Sequence, residues 1–260
     1  MNQFPVFLGA LSYEFRMQIR RRAVWITLIL LALLVGVTLS RGRIYDLLTN
    51  LRDYPLQTVI VTWTAMVNTI LPAGVGVLLA DRLPRDRKTK VDELFTSMPG
   101  ALSVRLTGKY LGSTFATLVP MLTFYCIGIG VILYQTQNIQ VIPLALATFA
   151  AVILPGILFI GAFSIACPAI LWVPLYQFLY VGYWLWGNWL SPRFGIPTLS
   201  GTILTPSGAY ISAGFFGEDP LHGLQATALQ GVESMLLLLS IAAFVMVVLW
   251  SYLKWQQARQ

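Results

Sequence analysis

The sequence predicts an all-α membrane protein with six transmembrane helices, and three observations carry that prediction. Hydrophobic residues make up 57% of the 260-residue chain, charged residues only 10%, and the mean hydropathy is +0.73. Soluble domains carry about 25% charged residues, so this much apolar surface does not fit one aqueous core, and lipid is the expected solvent. Six apolar runs, at 23–40, 56–80, 110–134, 141–166, 169–190 and 232–253, approach or exceed the ~20 residues that cross a bilayer. Finally, Lys and Arg gather in alternate connections between those runs. Together they describe one membrane domain spanning 1–260, with no internal repeat and no low-complexity tract.

The N-terminal segment 1–22 comes first. Phe4, Leu8, Leu11, Phe15 and Ile19 recur at helical spacing, while Ser12, Glu14, Arg16, Gln18 and Arg20 occupy other faces. Such a pattern predicts an interfacial amphipathic helix that lies flat with its basic side toward lipid headgroups and then turns into span one. A signal peptide is not expected, because more than twenty residues precede the first apolar run, that run is long for an h-region, and no clear small-x-small cleavage site follows.

Orientation follows from the positive-inside bias. Arg16, Arg20, Arg21 and Arg22 precede span one; Arg82, Arg85, Arg87, Lys88, Lys90, Arg105 and Lys109 lie between spans two and three; Lys254 and Arg259 follow span six. The opposite side carries only Arg41, Arg43, Arg52 and Arg193. The predicted location is therefore the cytoplasmic (inner) membrane, multi-pass, with both termini cytoplasmic. The formal net charge of +7 would suggest nucleic acid in a soluble protein; here it orients the chain in lipid, and no nucleic-acid partner is expected.

Within the spans, Asn68 falls mid-way along span two, followed by Pro72, Gly74 and Gly76. A polar group in hydrocarbon faces either a partner or a cavity, so Asn68 marks either a pathway-lining helix or packing through small residues. Span five is dense in aromatics. Tyr176, Tyr180 and Tyr183 share a helical face, with Gln177 beside Tyr180. That face either lines a site for an amphipathic ligand or serves bundle packing, while Trp184, Trp186 and Trp189 suit an interfacial belt. Only Cys167 and Pro168 separate spans four and five. Cys126 and Cys167 sit at different depths, which argues against a disulfide, and no Cys/His cluster has metal spacing. Glu233, at the outer edge of span six, is the one acidic residue in the spans, which argues against ion coupling.

Segment 191–231 is rich in Gly, Pro, Ser and Thr yet apolar around 196–203 and 209–216. Those pieces are too short to cross. The segment is either re-entrant, with its irregular backbone covered by protein or water, or a plain folded outer loop.

Segment 81–109, DRLPRDRKTKVDELFTSMPGALSVRLTGK, is the longest charged connection. Val91, Leu94, Phe95 and Met98 fall at i, i+3, i+4 and i+7, one apolar stripe on a helix of about two turns. Thr89 and Asp92 fit a capping box, Asp92 and Glu93 suit the positive helix end, and Pro99-Gly100 stop the helix. Ser103 is then placed to cap a second helix running through Gly108 and Lys109 into span three. So short a helix is unstable alone; its stripe is covered either by the rest of the chain or by a groove on a partner.

In layout the chain resembles the permease subunits of ABC-2 type transporters. The residues that carry the resemblance are FLGALSYEFRMQIRRRAVW near the N-terminus and Thr89, Glu93-Leu94, Ser97, Pro99 and Gly108-Lys109 in the loop, with Lys88 standing where the family often has Gly. The resemblance implies an elbow helix, six spans, and a coupling helix in the loop between spans two and three. It implies an ATP-driven exporter moving a hydrophobic or amphipathic substrate. The coupling helix, with Thr89, Val91, Asp92, Glu93, Leu94, Phe95 and Met98, would contact a separate ABC ATPase subunit, and a second permease chain would complete a homo- or heterodimer. ATP and Mg would be bound by that ATPase, since this chain has no G-x-x-x-x-G-K-[ST] motif and is expected to bind no cofactor of its own and to be no enzyme. Asn68, Tyr176, Gln177, Tyr180 and Tyr183 would then line the substrate pathway.

Two other classes compete. Ser207 and His222, the lone histidine, could act as nucleophile and base of an intramembrane enzyme, although no orienting third group is visible. Alternatively the chain is a structural membrane anchor for a cytoplasmic complex.

Overall fold

A computed structural model describes residues 3–39, 53–88, 101–190, 195–219 and 223–259. Among the described residues there are helices, turns and bends and no strand. In chain order the helices are α1 (Phe4–Ile19), α2 (Arg22–Leu39), α3 (Leu56–Leu79), α4 (Arg82–Lys88), α5 (Leu102–Thr136), α6 (Val141–Thr148), α7 (Leu154–Ala166), α8 (Val173–Trp184), α9 (Ala209–Phe216) and α10 (Ala228–Gln257). A π turn, Phe149–Ile153, joins α6 to α7 into one rod.

Four rods are long and apolar enough to cross a membrane: Leu56–Arg85, Leu102–Thr136, Val141–Ala169 and Ala228–Gln257. A shorter apolar helix lies within α2, at Arg22–Val37, and the 12-residue α8 is extended by a second π turn, Leu185–Trp189. Large apolar side chains stand exposed along α2 (Ile29, Leu30, Leu33), α8 (Phe178, Leu179) and α10 (Leu236, Phe244, Val247). Soluble monomers rarely show apolar surface on this scale, and a chain built this way is membrane-embedded.

The hub is α3, which packs against α2, α5, α6, α7, α8 and α9. Every residue of this helix from Val59 to Pro72 is buried. Buried threonines on it satisfy their own hydroxyls, Thr62 donating to Thr58 O, Thr64 to Ile60 O and Thr69 to Ala65 O at 2.7–2.8 Å. Glycines set how closely its neighbours approach. A Cβ at Gly74 would sit 2.5 Å from Leu31 Cδ1 of α2, and one at Gly76 would sit 2.2 Å from the Tyr180 ring of α8.

Proline explains the irregularities of the third rod. Pro155 has no N–H to give the carbonyl four residues back, and just before it the Leu154 N–H reaches Phe149 O, five residues away, the bond of a π turn. After Ala166 the chain tightens into a 3₁₀ turn, Cys167–Ala169. With Trp172 extended ahead of Pro174, α8 begins at Val173, four residues later than the predicted fifth span.

Three further sequence expectations need correction. Ser103 does not cap α5: the cap position is Ala101, in extended conformation without a side-chain hydrogen bond, and Ser103 lies inside the helix, where its carbonyl accepts from Thr107 Oγ1 at 2.9 Å. The expected helix itself is present: α5 begins at Leu102 and runs unbroken through Gly108 and Lys109 into the apolar run at 110–134. The last helix starts early, at Ala228, because Thr227 and Gln230 form a reciprocal capping box. Finally, the polar residues of α1 do not share an outward face. Phe4 and Leu8 are exposed, as are Arg16 and Arg20, but Glu14 and Gln18 are buried.

Candidate functional site

That inward turn of α1 builds a buried ionic cluster at the two ends of the predicted loop. Helix α1 lies along the first turns of α5. Gly108 and Gly112 make the approach possible: a Cβ at Gly108 would come within 2.8 Å of Ala10 Cβ, and one at Gly112 within 2.5 Å of Leu11 O. Small residues four apart let helix backbones meet. On the same seam Glu14 faces two cations. Its Oε1 lies 3.5 Å from Lys109 Nζ and its Oε2 lies 3.7 Å from Arg82 Nη2. Glu14 and Arg82 are almost wholly buried, at 3% and 1% exposure. A buried charge is costly without a counter-charge, which is the physical reason the lone carboxylate of α1 points inward.

A second pair stands beside it. Arg21, in the α1–α2 junction, grips Asp81 with both guanidinium nitrogens, Nη1 to Oδ1 at 2.9 Å and Nη2 to Oδ2 at 2.7 Å. The hydrogen bonds that Arg21 donates to Asp81, with the Coulomb attraction of that carboxylate, hold the Arg21 pKa above its ordinary value against the desolvation of partial burial. Exposed pairs are worth about 0–1 kcal/mol, so here the fork geometry matters for position more than for stability.

Elsewhere in the bundle α3 meets segment 195–219. Asn68 is fully buried, and its Nδ2 donates to Ser207 O at 2.7 Å and Pro206 O at 3.4 Å. Gly156 of α7 lies against the same peptide, where a Cβ would stand 2.3 Å from Pro206 O. Ser207 Oγ shares a hydrogen bond with Thr205 Oγ1 at 2.8 Å, and Thr205 donates to Asn188 Oδ1 at 3.0 Å. Gly208, at φ +77°, turns the chain into α9 in a conformation that favours glycine. At the far end Thr58 Oγ1 donates to Glu218 Oε1 at 2.8 Å, and Gln57 Nε2 donates to Phe216 O.

The aromatic face of α8 turns toward α3 and α7. Tyr180 OH donates to Pro72 O and Trp184 Nε1 to Thr69 O, both at 2.7 Å. Gln177 Nε2 donates to Val77 O at 3.1 Å, and Tyr176 OH pairs with Ser164 Oγ at 2.9 Å. Tyr183 is half-buried. Asn68 and the tyrosines therefore sit around one helix but do not touch a common point: Asn68 is tied to Pro206 and Ser207, Tyr180 to the carbonyl of Pro72.

Thr89, Val91, Asp92, Glu93, Leu94, Phe95 and Met98 lie outside the described residues, as does His222. No group of three His, Cys, Asp or Glu able to hold a metal ion occurs among the described residues. Both cysteines are free thiols. Sequence reasoning missed Glu14, Arg82 and the Arg21–Asp81 pair as partners. Their signal was a single carboxylate, Glu14, embedded in the basic N-terminal segment, and a first acid, Asp81, standing directly before Arg82 at the loop's start. In comparisons with known proteins, no family model, curated protein or solved structure matches the chain.

Proposed function

We propose that this chain is the transmembrane subunit of an ATP-driven exporter of the ABC-2 type, moving a hydrophobic or amphipathic substrate with energy from a separate ATPase. In this reading six spans cross the cytoplasmic membrane: α2, α3, α5, the α6–α7 rod, α8 and α10. Helix α1 is the elbow, segment 195–219 is re-entrant, and two copies or two related chains enclose the pathway. Asn68, Tyr176, Gln177, Tyr180 and Tyr183 are its candidate lining.

The observation that carries the reading is the anchoring of the loop's two ends. The segment leaves the hub helix at Asp81-Arg82 and returns on a single 35-residue rod, Leu102–Thr136, and α1 contacts both ends through Glu14. A partner gripping the segment between those ends would move membrane helices directly rather than stretch a slack tether. That is the mechanical requirement for a subunit whose energy is released in another polypeptide.

The test is docking. Co-expressed with an ABC ATPase encoded beside it, the chain should retain that ATPase through detergent extraction, and Leu94→Asp should release it while inserting normally. Burial of a Leu-sized side chain is worth roughly 1.5–3 kcal/mol, and a charge against an apolar groove adds to the loss. Wild-type retention and wild-type transport in Leu94→Asp would remove the stripe as the coupling contact. Topology supplies a second check: a cysteine at position 88 should label from the cytoplasm and one at position 218 from outside.

A further inference from the structure

The exposed stripe of α10 continues past its apolar run. Phe244, Val248, Ser251 and Trp255 follow at steps of three or four residues, so they share one side of the rod, and all four are exposed. Arg259 extends the line in the turn after the helix, where its N–H bonds Gln256 O at 3.2 Å. Phe244 lies near the middle of the apolar run 232–253. From Phe244 to Trp255 the rise is about 16 Å at 1.5 Å per residue, close to half of a hydrocarbon core of about 30 Å. The stripe therefore covers one leaflet, with Trp255 and Arg259 at headgroup depth.

Two cations stand on an aromatic scaffold at that depth. Lys254 Nζ is 5.4 Å from the centre of the Trp250 ring, and Arg259 Cζ is 3.8 Å from that of Trp255, both within cation–π range. The rings are themselves held. Trp250 and Tyr252 pack against the core cluster that contains Leu83, Leu106 and Leu249. Trp255 stacks on Tyr252 with ring centroids 6.3 Å apart, and Gln256 Nε2 donates to Tyr252 OH at 2.7 Å. Among the described residues neither cation is in an ion pair. A Lys or Arg that only complements the negative end of a helix needs no ring beneath it.

We infer that this end of α10 binds an anionic phospholipid. Lys254 and Arg259 take the headgroup phosphate, Trp255 packs beside the glycerol, and an acyl chain runs along Val248 and Phe244 toward the midplane. Charge complementarity selects the headgroup, the apolar stripe selects the chain, and one molecule carries both. An acidic protein surface would match the cations alone, and the stripe leading to them belongs to the least buried of the four long rods. The inference goes beyond the exporter reading and stands without it. In the topology proposed above the lipid belongs to the cytoplasmic leaflet.

The test is titration of the full chain, purified in detergent, with short-chain phosphatidylglycerol and with phosphatidylcholine. The wild-type chain should prefer phosphatidylglycerol. Lys254→Gln and Arg259→Gln should each weaken phosphatidylglycerol about fivefold, the worth of one cation at a lipid surface, and leave phosphatidylcholine within about twofold. Trp255→Ala should weaken both lipids, since it removes the ring under Arg259 and the top of the stripe. Arg22→Gln, which removes an exposed cation at the start of α2, is the control and should change neither. Salt gives a second reading on the unaltered chain: at about 1 M, where the screening length is about 3 Å, the preference should vanish. An equal loss from Arg22→Gln would mean that only diffuse surface charge acts. Full displacement of the lipid by inorganic phosphate at constant ionic strength would mean a plain anion site. Wild-type lipid binding in the double variant Lys254→Gln/Arg259→Gln, with loss of an associated protein, would assign the cations to an acidic protein surface. Each of these three results would overturn the inference.

Discussion

Helix α3 and helix α10 are both long enough to span a membrane, and they treat polarity in opposite ways. Of the four long rods, the one containing α3 is the least apolar and the most buried, with 89% of an 18-residue apolar stretch buried; α10 is the most apolar and the least buried, with 22%. In water the order would be reversed, because burial of apolar area is what drives folding. In lipid, apolar side chains lose nothing by facing outward, and hydroxyls, amides and small residues draw helices together. The difference identifies the solvent. It also separates two kinds of sensitivity: α10 should resist loss of apolar bulk and fail on charge, whereas α3 and its neighbours should fail on small changes of shape.

The largest effect is expected on the exposed helix. Phe244 of α10 is 67% exposed, and on a soluble protein Phe244→Lys would be harmless or helpful. At a lipid-facing site near the middle of a span, Lys costs roughly 2.5–3.5 kcal/mol on insertion scales. The variant should show reduced membrane insertion, read by carbonate extraction. Insertion at the wild-type level would break the comparison, because α10 would then face protein or water.

Next comes the interior. Gly156→Ala places a methyl 2.3 Å from the Pro206 carbonyl, a backbone atom that cannot rotate away. Overpacking of this kind costs about 1–3 kcal/mol or more. Melting in detergent should fall by several degrees, and segment 195–219 should become more accessible to protease. An unchanged melt would mean that the segment is not seated against α7.

A smaller loss follows from removing one hydroxyl. Tyr180→Phe deletes the bond to Pro72 O and leaves the ring in place, at a cost of about 0.5–1.5 kcal/mol. If α8 only packs, the melt should fall; in the exporter proposed above, substrate-stimulated ATP hydrolysis by the complex should fall with it. A change in stimulation with an unchanged melt would instead put Tyr180 in contact with substrate.

How much of this was readable from the sequence depended on what sets each feature. The hub span was legible almost to the residue, predicted at 56–80 and found as Leu56–Leu79, because an apolar run bounded by Pro55 and Asp81 is a local signal. The start of α10 was missed by four residues although Thr227 and Gln230 carry a capping-box pattern. The break at Cys167-Pro168 was visible, but the start of α8 was set by Pro174, which is tolerated only in the first turn of a helix, where its missing N–H leaves no bond unmade. The site was less legible. Periodicity placed Glu14 and Gln18 off the apolar stripe of α1 and hence outside, since a helical wheel cannot know that Arg82 and Lys109 converge on that side from 68 and 95 residues later in the chain. Likewise Asn68 advertised a partner without naming it, and Pro206 and Ser207 lie 138 and 139 residues away.

The smallest effect gives the sharpest contrast, because it sets two glycines of one helix against each other. Gly130 of α5 is exposed, and a Cβ there would meet nothing within 4 Å. Gly128, two residues earlier and on the other side of the helix, would drive a Cβ to 2.1 Å from the Trp63 ring, and that ring is fixed by its own bond from Nε1 to Tyr125 O at 3.1 Å. Alanine is favoured over glycine inside a helix by about 1 kcal/mol, so Gly130→Ala should leave the melt unchanged or raise it slightly. Gly128→Ala carries the same propensity gain but must displace an indole from α3, and should lower it. Equal responses would show that helix propensity alone governs α5 and that Trp63 does not hold it to the hub. Opposite signs from one substitution at two neighbouring sites would locate the boundary between the lipid-facing and hub-facing sides of this helix to within a single turn.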